Sequence, residues 1–293
     1  MTGERDMRGV WTQLDGIDPK ALVEARLRAH HALQWVTRAA RANLAPTPDD
    51  SHSNLGWDPS RDGLVSHDLA AADGSTYRCG LRIDTMTLFV AKGSEMLGGF
   101  ELDGHVDADA TTWVDEILVD LGLHRASGVA VPYDIPAHLV AAGGRYSCAS
   151  DRPAFAGLAR WFEVADDILG ETRSRLVGIG AGSSEVRCWP HHFDIATLLS
   201  LGTGEAETVA AIGIGMSPGD AYYPQPYFYI SPWLAPAVDA LPPLPAPGRW
   251  HTLDFVGAVA TGEAVLATPE PRARLRDFID AAVDVCRGFL SPG

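Results

Sequence analysis

The chain has 293 residues, of which 46% are hydrophobic, so it can bury a substantial core without disulfides or metals. Its formal net charge of −15 argues against nucleic acid or an anionic membrane as a partner, because both attract clustered positive charge. The four cysteines are widely spaced, the N-terminus lacks the apolar run of a signal peptide, and no run of eighteen apolar residues occurs. We therefore expect a cytoplasmic protein with reduced thiols and no bound structural metal.

The first half of the chain is predicted to contain a helix, an antiparallel meander and a second helix. Apolar residues recur at helical spacing over 19–44, and short alternating runs over 64–102 are separated by Asp-Gly and Lys-Gly turns. Asp109 is the expected N-cap of the second helix, over 110–121.

The second half is predicted to repeat this plan after a connector rich in glycine and proline. The apolar run at 129–132 within the connector predicts an edge strand, because its proline is unsuited to the centre of a sheet. The remaining patterns predict a helix, a set of extended segments and a final helix, over 153–177, 184–200, 208–216, 227–232, 250–259 and 270–290.

These patterns predict an α+β fold of two similar halves, each built as helix, antiparallel meander and helix. The halves are expected either to pack as a pseudo-dimer or to share one sheet. We place the N-terminal α+β half at 1–126, the connector at 127–150 and the C-terminal α+β half at 151–293.

Three motifs of the C-terminal half are unusually polar and aromatic. They are Trp-Pro-His-His-Phe-Asp at 189–194, Gly-Met-Ser-Pro-Gly-Asp at 215–220 and Pro-Tyr-Phe-Tyr at 226–229. In these motifs the chain resembles a family of uncharacterised bacterial proteins that share a domain of unknown function. The resemblance extends over most of the chain and implies that the motif residues lie together. It implies no reaction.

The most economical arrangement puts the motif residues in one cleft. The expected ligand-binding residues are Trp189, His191, His192, Asp194, Asp220, Gln225, Tyr227 and Tyr229. Aromatic walls with a few polar groups are typical of small-molecule sites, so we expect an unidentified small molecule as the ligand. A continuous strand over 186–198 would place His192 and Asp194 on one face about 6–7 Å apart, within reach of Tyr227 or Tyr229 across adjacent strands.

An enzyme is the first alternative. In a hydrolase or lyase, His192 and Asp194 would form an acid–base pair and Tyr229 or Tyr227 would donate a proton. His192, Asp194 and His251 also outline an iron(II) triad, but the basic residue common after the second histidine of 2-oxoglutarate-dependent enzymes is missing. A lesser alternative is a protein–protein interface, with a possible homodimer through the aromatic stretch. The sequence does not identify a cofactor.

The segment 217–220, Ser-Pro-Gly-Asp, predicts a type II turn, because proline fixes φ at about −65° and glycine accepts a positive φ. Such a turn would present Asp220 to the cleft. We expect Asp220→Ala to abolish ligand binding and to change the stability of the unliganded protein by at most about 0.5 kcal/mol. The competing interpretation is structural: a solvated turn here, and in the first motif a core histidine with Asp194 paired to an arginine such as Arg187.

Overall fold

The computed structural model describes residues 7–14, 16–180, 182–202, 209–233, 236–238 and 241–290. These residues form α-helices and two antiparallel sheets, one in each half, which confirms the α+β class. The alternative of one shared sheet is therefore wrong. In the same ranges, no helix combines the length and the apolar character that crossing a membrane requires.

The regular elements are named here in chain order. They are α1 (Met7–Thr12), α2 (Val23–Asn43), β1 (Gly56–Asp58), β2 (Gly63–Val65), β3 (Leu69–Ala70), β4 (Thr76–Arg82), β5 (Thr87–Lys92), β6 (Glu95–Glu101), α3 (Asp107–Asp120), α4 (Arg152–Arg175), β7 (Gly182–Ser183), β8 (Arg187–Trp189), β9 (Asp194–Ser200), β10 (Ala211–Ser217), β11 (Tyr227–Trp233), β12 (Arg249–His251), β13 (Gly257–Thr261), α5 (Gly262–Leu266) and α6 (Pro271–Leu290).

The chain divides into two compact units. The N-terminal unit comprises Ala21–Ala159 and Arg187–Phe193, and the C-terminal unit comprises Met1–Lys20, Arg160–Val186 and Asp194–Gly293. The predicted connector lies inside the N-terminal unit, and the segment around the first motif belongs to that unit as well.

The sheet of the N-terminal unit has the strand order β1-β2-β4-β5-β6, and β3 pairs with β4. The predicted meander is present, with Tyr77 and Cys79 of β4 buried while Arg78 between them stays exposed. The second helix starts earlier than predicted. Val106 is its N-cap, and the Asp109 carboxylate accepts a hydrogen bond from the Val106 amide at 3.2 Å. The predicted edge strand at 129–132 is wrong, because this described segment has no regular structure.

The sheet of the C-terminal unit has the strand order β12-β13-β11-β10-β9-β7. On one face, Trp161 of α4 packs against Phe228 with ring centroids 6.4 Å apart, and α6 contacts β10 and β11. Arg272 of α6 pairs with Asp167 and Glu171 of α4 at 3.1 and 2.9 Å. Side chains alternate along a strand, so the other face presents Tyr227, Tyr229 and Asp194. We call this second face, with its neighbours Asp220, Tyr223 and His251, the tyrosine face.

Candidate functional site

The first motif contains a turn where the sequence predicts a continuous strand over 186–198. Strand β8 ends at Trp189, the chain then turns, and β9 begins at Asp194. Pro190 has no N–H to donate to a strand ladder, which favours a break at this point.

Backbone hydrogen bonds close this turn. The amides of His192 and Phe193 donate to the Trp189 carbonyl at 3.2 and 2.7 Å, and Phe193 has a left-handed backbone with φ of 60°. Strand alternation therefore does not apply between His192 and Asp194, and their predicted placement on one strand face is wrong. The proposed acid–base pair loses its geometric basis.

Helix α2 holds the turn through buried polar side chains. His30 Nε2 lies 2.8 Å from the Pro190 carbonyl oxygen, and Gln34 Nε2 donates to the same oxygen at 3.0 Å. A carbonyl can only accept, so Nε2 of His30 carries the proton. The His30 ring also stacks on Phe193 with centroids 5.1 Å apart. These contacts explain why Phe193 is buried within a polar motif.

His30 predicts a pH dependence of stability. Burial lowers its pKa to about 4 and outweighs the hydrogen bond to Pro190, so the folded protein keeps the ring neutral. The unfolded ring has a pKa of about 6.5. The contribution of His30 to the free energy of unfolding is fully present above pH 6.5 and is lost as the pH falls towards 4. We expect the free energy of unfolding to fall by about 1.4 kcal/mol per pH unit in this window because of His30.

Urea unfolding at several pH values between 7 and 4 measures this slope. In His30→Gln, the free energy of unfolding should depend less steeply on pH, by the equivalent of about one proton taken up on unfolding. His105→Gln removes an exposed histidine of the same unit and is the control. Equal slopes in wild type and His30→Gln would contradict the assignment.

Trp189, His191 and His192 form an aromatic group in the N-terminal unit. Ring centroids are 6.0 Å apart for Trp189 and His191, and 4.3 Å apart for His191 and His192. Burial first, and then the neighbouring His192, lowers the pKa of His191 to about 4. Tyr133 joins this group with its ring 5.7 Å from His191, and its hydroxyl donates to Gln34 Oε1 at 2.9 Å. Tyr133 is not among the predicted residues, because it lies in an irregular segment with no motif.

Asp194 and Tyr229 are brought together, as predicted. The Tyr229 hydroxyl donates a short hydrogen bond to Asp194 Oδ2. The predicted adjacency of their strands is wrong, since β10 lies between β9 and β11. The Tyr229 side chain reaches Asp194 by passing over Gly215 of β10. A side chain at position 215 would block this path, because a Cβ built there would lie 2.5 Å from the Tyr229 hydroxyl and 2.8 Å from Ala196 Cβ. Asp194 and Tyr229 are both half-buried.

Asp220 lies against Tyr227, at the end of β10. Gly219 has the predicted positive φ, 117°, and its amide donates to Ser217 Oγ at 3.2 Å. The Asp220 amide donates to the Tyr223 carbonyl at 2.9 Å instead of to Ser217, so the hydrogen bond that would close the predicted type II turn is not made. One carboxylate oxygen of Asp220 accepts from the amides of Tyr222 and Tyr223 at 2.8 and 3.0 Å. The other oxygen accepts from the Tyr227 hydroxyl at 2.5 Å.

Tyr227 acts as a hydrogen-bond donor in this arrangement. Burial, followed by the hydrogen bond and the charge of Asp220, raises the pKa of Tyr227 far above its ordinary value. The phenol therefore stays protonated at physiological pH, and it fixes the position of the Asp220 carboxylate.

Tyr223 and His251 extend the tyrosine face. His251 Nε2 lies 2.5 Å from the Leu253 carbonyl oxygen, which can only accept, so Nε2 carries the proton. Nδ1 of the neutral ring is then an acceptor, and the Tyr223 hydroxyl donates to it at 2.8 Å. Both ring nitrogens of His251 are thus used within the protein, which leaves neither for the iron triad outlined by the sequence.

Gln225 has a structural position. It is 7% exposed, and its Oε1 accepts a hydrogen bond from the Glu263 amide at 2.8 Å, in the first turn of α5. Helix α5 is absent from the sequence-based prediction, so this partner of Gln225 is not anticipated there.

The structure thus sorts the predicted residues into two sets. Asp194, Asp220, Tyr227 and Tyr229 share the tyrosine face of the C-terminal unit, with Tyr227 and Tyr229 ring centroids 6.3 Å apart. The other set, Trp189, His191 and His192, belongs to the N-terminal unit. Across the described ranges, no group of three or more His, Cys, Asp or Glu side chains is arranged to hold a metal ion.

The chain was compared with family models, curated proteins and solved structures. None of them matches it. The resemblance to the family of uncharacterised bacterial proteins stays a prediction that rests on the three motifs.

Proposed function

We propose that the protein binds a small organic cation, such as an amine, on the tyrosine face of its C-terminal unit. One observation carries the proposal: three tyrosine hydroxyls all donate their hydrogen bonds to acceptors of the same unit. Tyr229 donates to Asp194, Tyr227 donates to Asp220, and Tyr223 donates to His251.

The direction of these bonds determines what a ligand meets. Each hydroxyl has one proton, which is already used, so the phenol oxygens and carboxylates offer a ligand only lone pairs. Tyrosine ring faces add negative electrostatic potential. A surface of acceptors and ring faces suits a positively charged hydrogen-bond donor.

Exposure and charge support the same ligand class. Asp194, Asp220, Tyr223 and Tyr229 are half-buried, while Tyr227 is 5% exposed and contacts Asp220 and Tyr229. Arg249 places its guanidinium 5.2 Å from the Tyr223 ring centroid, so one ring of this face already has a cation–π contact within the protein. The net charge of −15 also raises the local concentration of cations.

The proposed location is the cytoplasm. All four cysteines are buried free thiols, namely Cys79, Cys148, Cys188 and Cys286. Burial raises the pKa of Cys79 to about 12, which keeps this thiol unreactive. Free thiols persist in a reducing compartment, which supports the proposal.

A thermal-shift experiment with a matched pair of probes tests the function. Phenethylamine and 3-phenylpropionate share a phenyl ring and differ in the sign of their charge. We expect phenethylamine to raise the Tm of the wild type by mass action and 3-phenylpropionate to leave it unchanged. Asp194→Asn should weaken the phenethylamine response about tenfold in concentration, because a charge-assisted hydrogen bond is lost.

Asp280→Asn removes the same charge from α6 of the same unit and is the matched control, in which the response should persist. Equal responses to both probes, or an unchanged response in Asp194→Asn, would reject the proposal. A homodimer through the tyrosine face would compete with the ligand. Size-exclusion chromatography with and without phenethylamine therefore tests the predicted homodimer as well.

A further inference from the structure

The N-terminal unit contains a polar pocket that none of the three motifs predicts. Its volume is about 410 Å³, within the range of small-molecule sites. Its walls are formed by β1 and the residue after it, by the end of β2 and the segment that follows, and by single residues of β4 and β8. The side chains that matter here are those of Trp57, Asp58, His67, Asp68, Arg78 and Arg187.

Arg187 enters the pocket beside a glycine. A Cβ built at Gly56 would lie 2.9 Å from Arg187 Nη1, so only glycine leaves the guanidinium its present position. Backbone bonds between Leu55 and Cys188, at 2.7 and 3.0 Å, fix β8 next to β1 and thereby fix the base of Arg187. The two strands thus fix the backbone of Arg187, and Gly56 leaves room for its guanidinium.

Arg78 provides a second guanidinium on the pocket wall. Its Nε donates to Asp68 at 2.6 Å, but the two side chains are 50% and 55% exposed, so this ion pair is weak. A guanidinium has five N–H donors, and a ligand oxyanion can bind it bidentately in competition with Asp68.

The second carboxylate of the wall, Asp58, is occupied within the protein. It accepts from the Ser60 amide at 2.9 Å, from the Ser60 hydroxyl at 2.6 Å and from Arg61. Burial opposes ionisation of Asp58, but these hydrogen bonds outweigh it and lower its pKa. His67 uses its Nε2 proton within the protein, because this nitrogen faces the oxygens of Asn54 and Ser51 at 2.8 and 3.1 Å. With Asp58 and His67 engaged in this way, the cationic donors of the pocket wall are the guanidinium groups of Arg78 and Arg187.

We propose that this pocket binds a small organic anion, whose carboxylate or phosphate group contacts the guanidinium groups of Arg78 and Arg187 and whose apolar part lies against Trp57. The site is independent of the tyrosine face and selects the opposite charge. The two sites prefer ligands of opposite charge. They would therefore bind two different metabolites, or two reactants of the same reaction.

Isothermal titration at low ionic strength tests the pocket with two probes, phenyl phosphate and benzoate. They distinguish a phosphate ligand from a carboxylate ligand, and binding of either supports the proposal. Arg78→Gln should weaken binding about tenfold through the loss of charged hydrogen bonds. Gly56→Ala should weaken it comparably, because the new methyl group displaces the Arg187 guanidinium. Gly56→Ala changes no charge and moves only the end of a flexible side chain, so the protein should keep its stability.

Asp68→Asn is expected to have the opposite effect on affinity. With the control below, it distinguishes binding in the pocket from a general effect of the charge of the protein. The Asp68 carboxylate competes with the ligand for the Arg78 guanidinium. Its removal should therefore tighten ligand binding several-fold. Arg274→Gln removes an equally exposed, ion-paired arginine from the C-terminal unit and should leave the affinity unchanged. The proposal is overturned if the wild type binds neither probe at 10 mM, if Arg78→Gln and Gly56→Ala bind like wild type, or if Asp68→Asn weakens binding.

Discussion

Gly215→Ala should lower the free energy of unfolding by about 3 kcal/mol, through overpacking and the loss of a hydrogen bond to a carboxylate. The added methyl would lie 2.5 Å from the Tyr229 hydroxyl and 2.6 Å from its ring carbon Cζ, and 2.8 Å from the Ala196 methyl. Tyr229 must then leave its place across β10 and release Asp194. Chemical denaturation of the variant measures the effect.

Gly213→Ala is the matched control for this substitution. Gly213 lies on the same face of the same strand, two residues before Gly215, but its Cβ would meet Tyr229 Cε2 and the Ser231 carbonyl oxygen at an ordinary 3.8 Å. Both variants add one methyl group to a glycine of β10. A difference between their free energies of unfolding therefore measures the effect of blocking the path of Tyr229 over β10. Equal losses of stability in both variants would contradict the account.

Asp220→Ala should destabilise the unliganded protein by about 3 kcal/mol, since it removes the acceptor of three hydrogen bonds, one of them from the buried Tyr227. The Asp220 carboxylate accepts from Tyr222, Tyr223 and Tyr227. The small effect expected from the sequence, at most about 0.5 kcal/mol for a surface change, is therefore replaced by a large one. The measurement is the free energy of unfolding by urea.

A double-mutant cycle with Tyr227→Phe shows where the loss arises. The Tyr227 hydroxyl and Asp220 form one hydrogen bond at 2.5 Å, so the two substitutions should be non-additive by about 1 kcal/mol or more. Asp220→Asn keeps an acceptor for the two amides and should cost less than alanine. Additive effects, or an Asp220→Ala variant as stable as wild type, would show that this carboxylate does not organise the tyrosine face.

Local patterns were sufficient for much of the fold. The apolar spacing in the regions of α2, α4 and α6 predicts all three helices, because each buries one side against a sheet or a neighbouring helix. The turn residues between β4, β5 and β6 likewise predict the meander of the N-terminal unit. The meeting of Asp194 with Tyr229 is also predicted, since both occur in extended segments rich in polar and aromatic residues.

The remaining features depend on contacts that are distant in sequence. The break after Trp189 is held by His30 and Gln34, which come from a helix more than 150 residues earlier. Nothing in the motif itself indicates those partners. The anion pocket likewise combines β1, β4 and β8, and its key feature is the missing side chain of Gly56, which no local pattern identifies.

The most direct test of the tyrosine face is NMR of protein labelled with ¹³C in the tyrosine rings. The chain has seven tyrosines, so the ring signals can be assigned by single substitutions to phenylalanine. On titration with phenethylamine, we expect the largest shifts at Tyr229 and Tyr223 and smaller shifts at Tyr227. Shifts confined to Tyr77, Tyr133 and Tyr146 of the N-terminal unit, or no shift at any tyrosine, would contradict it.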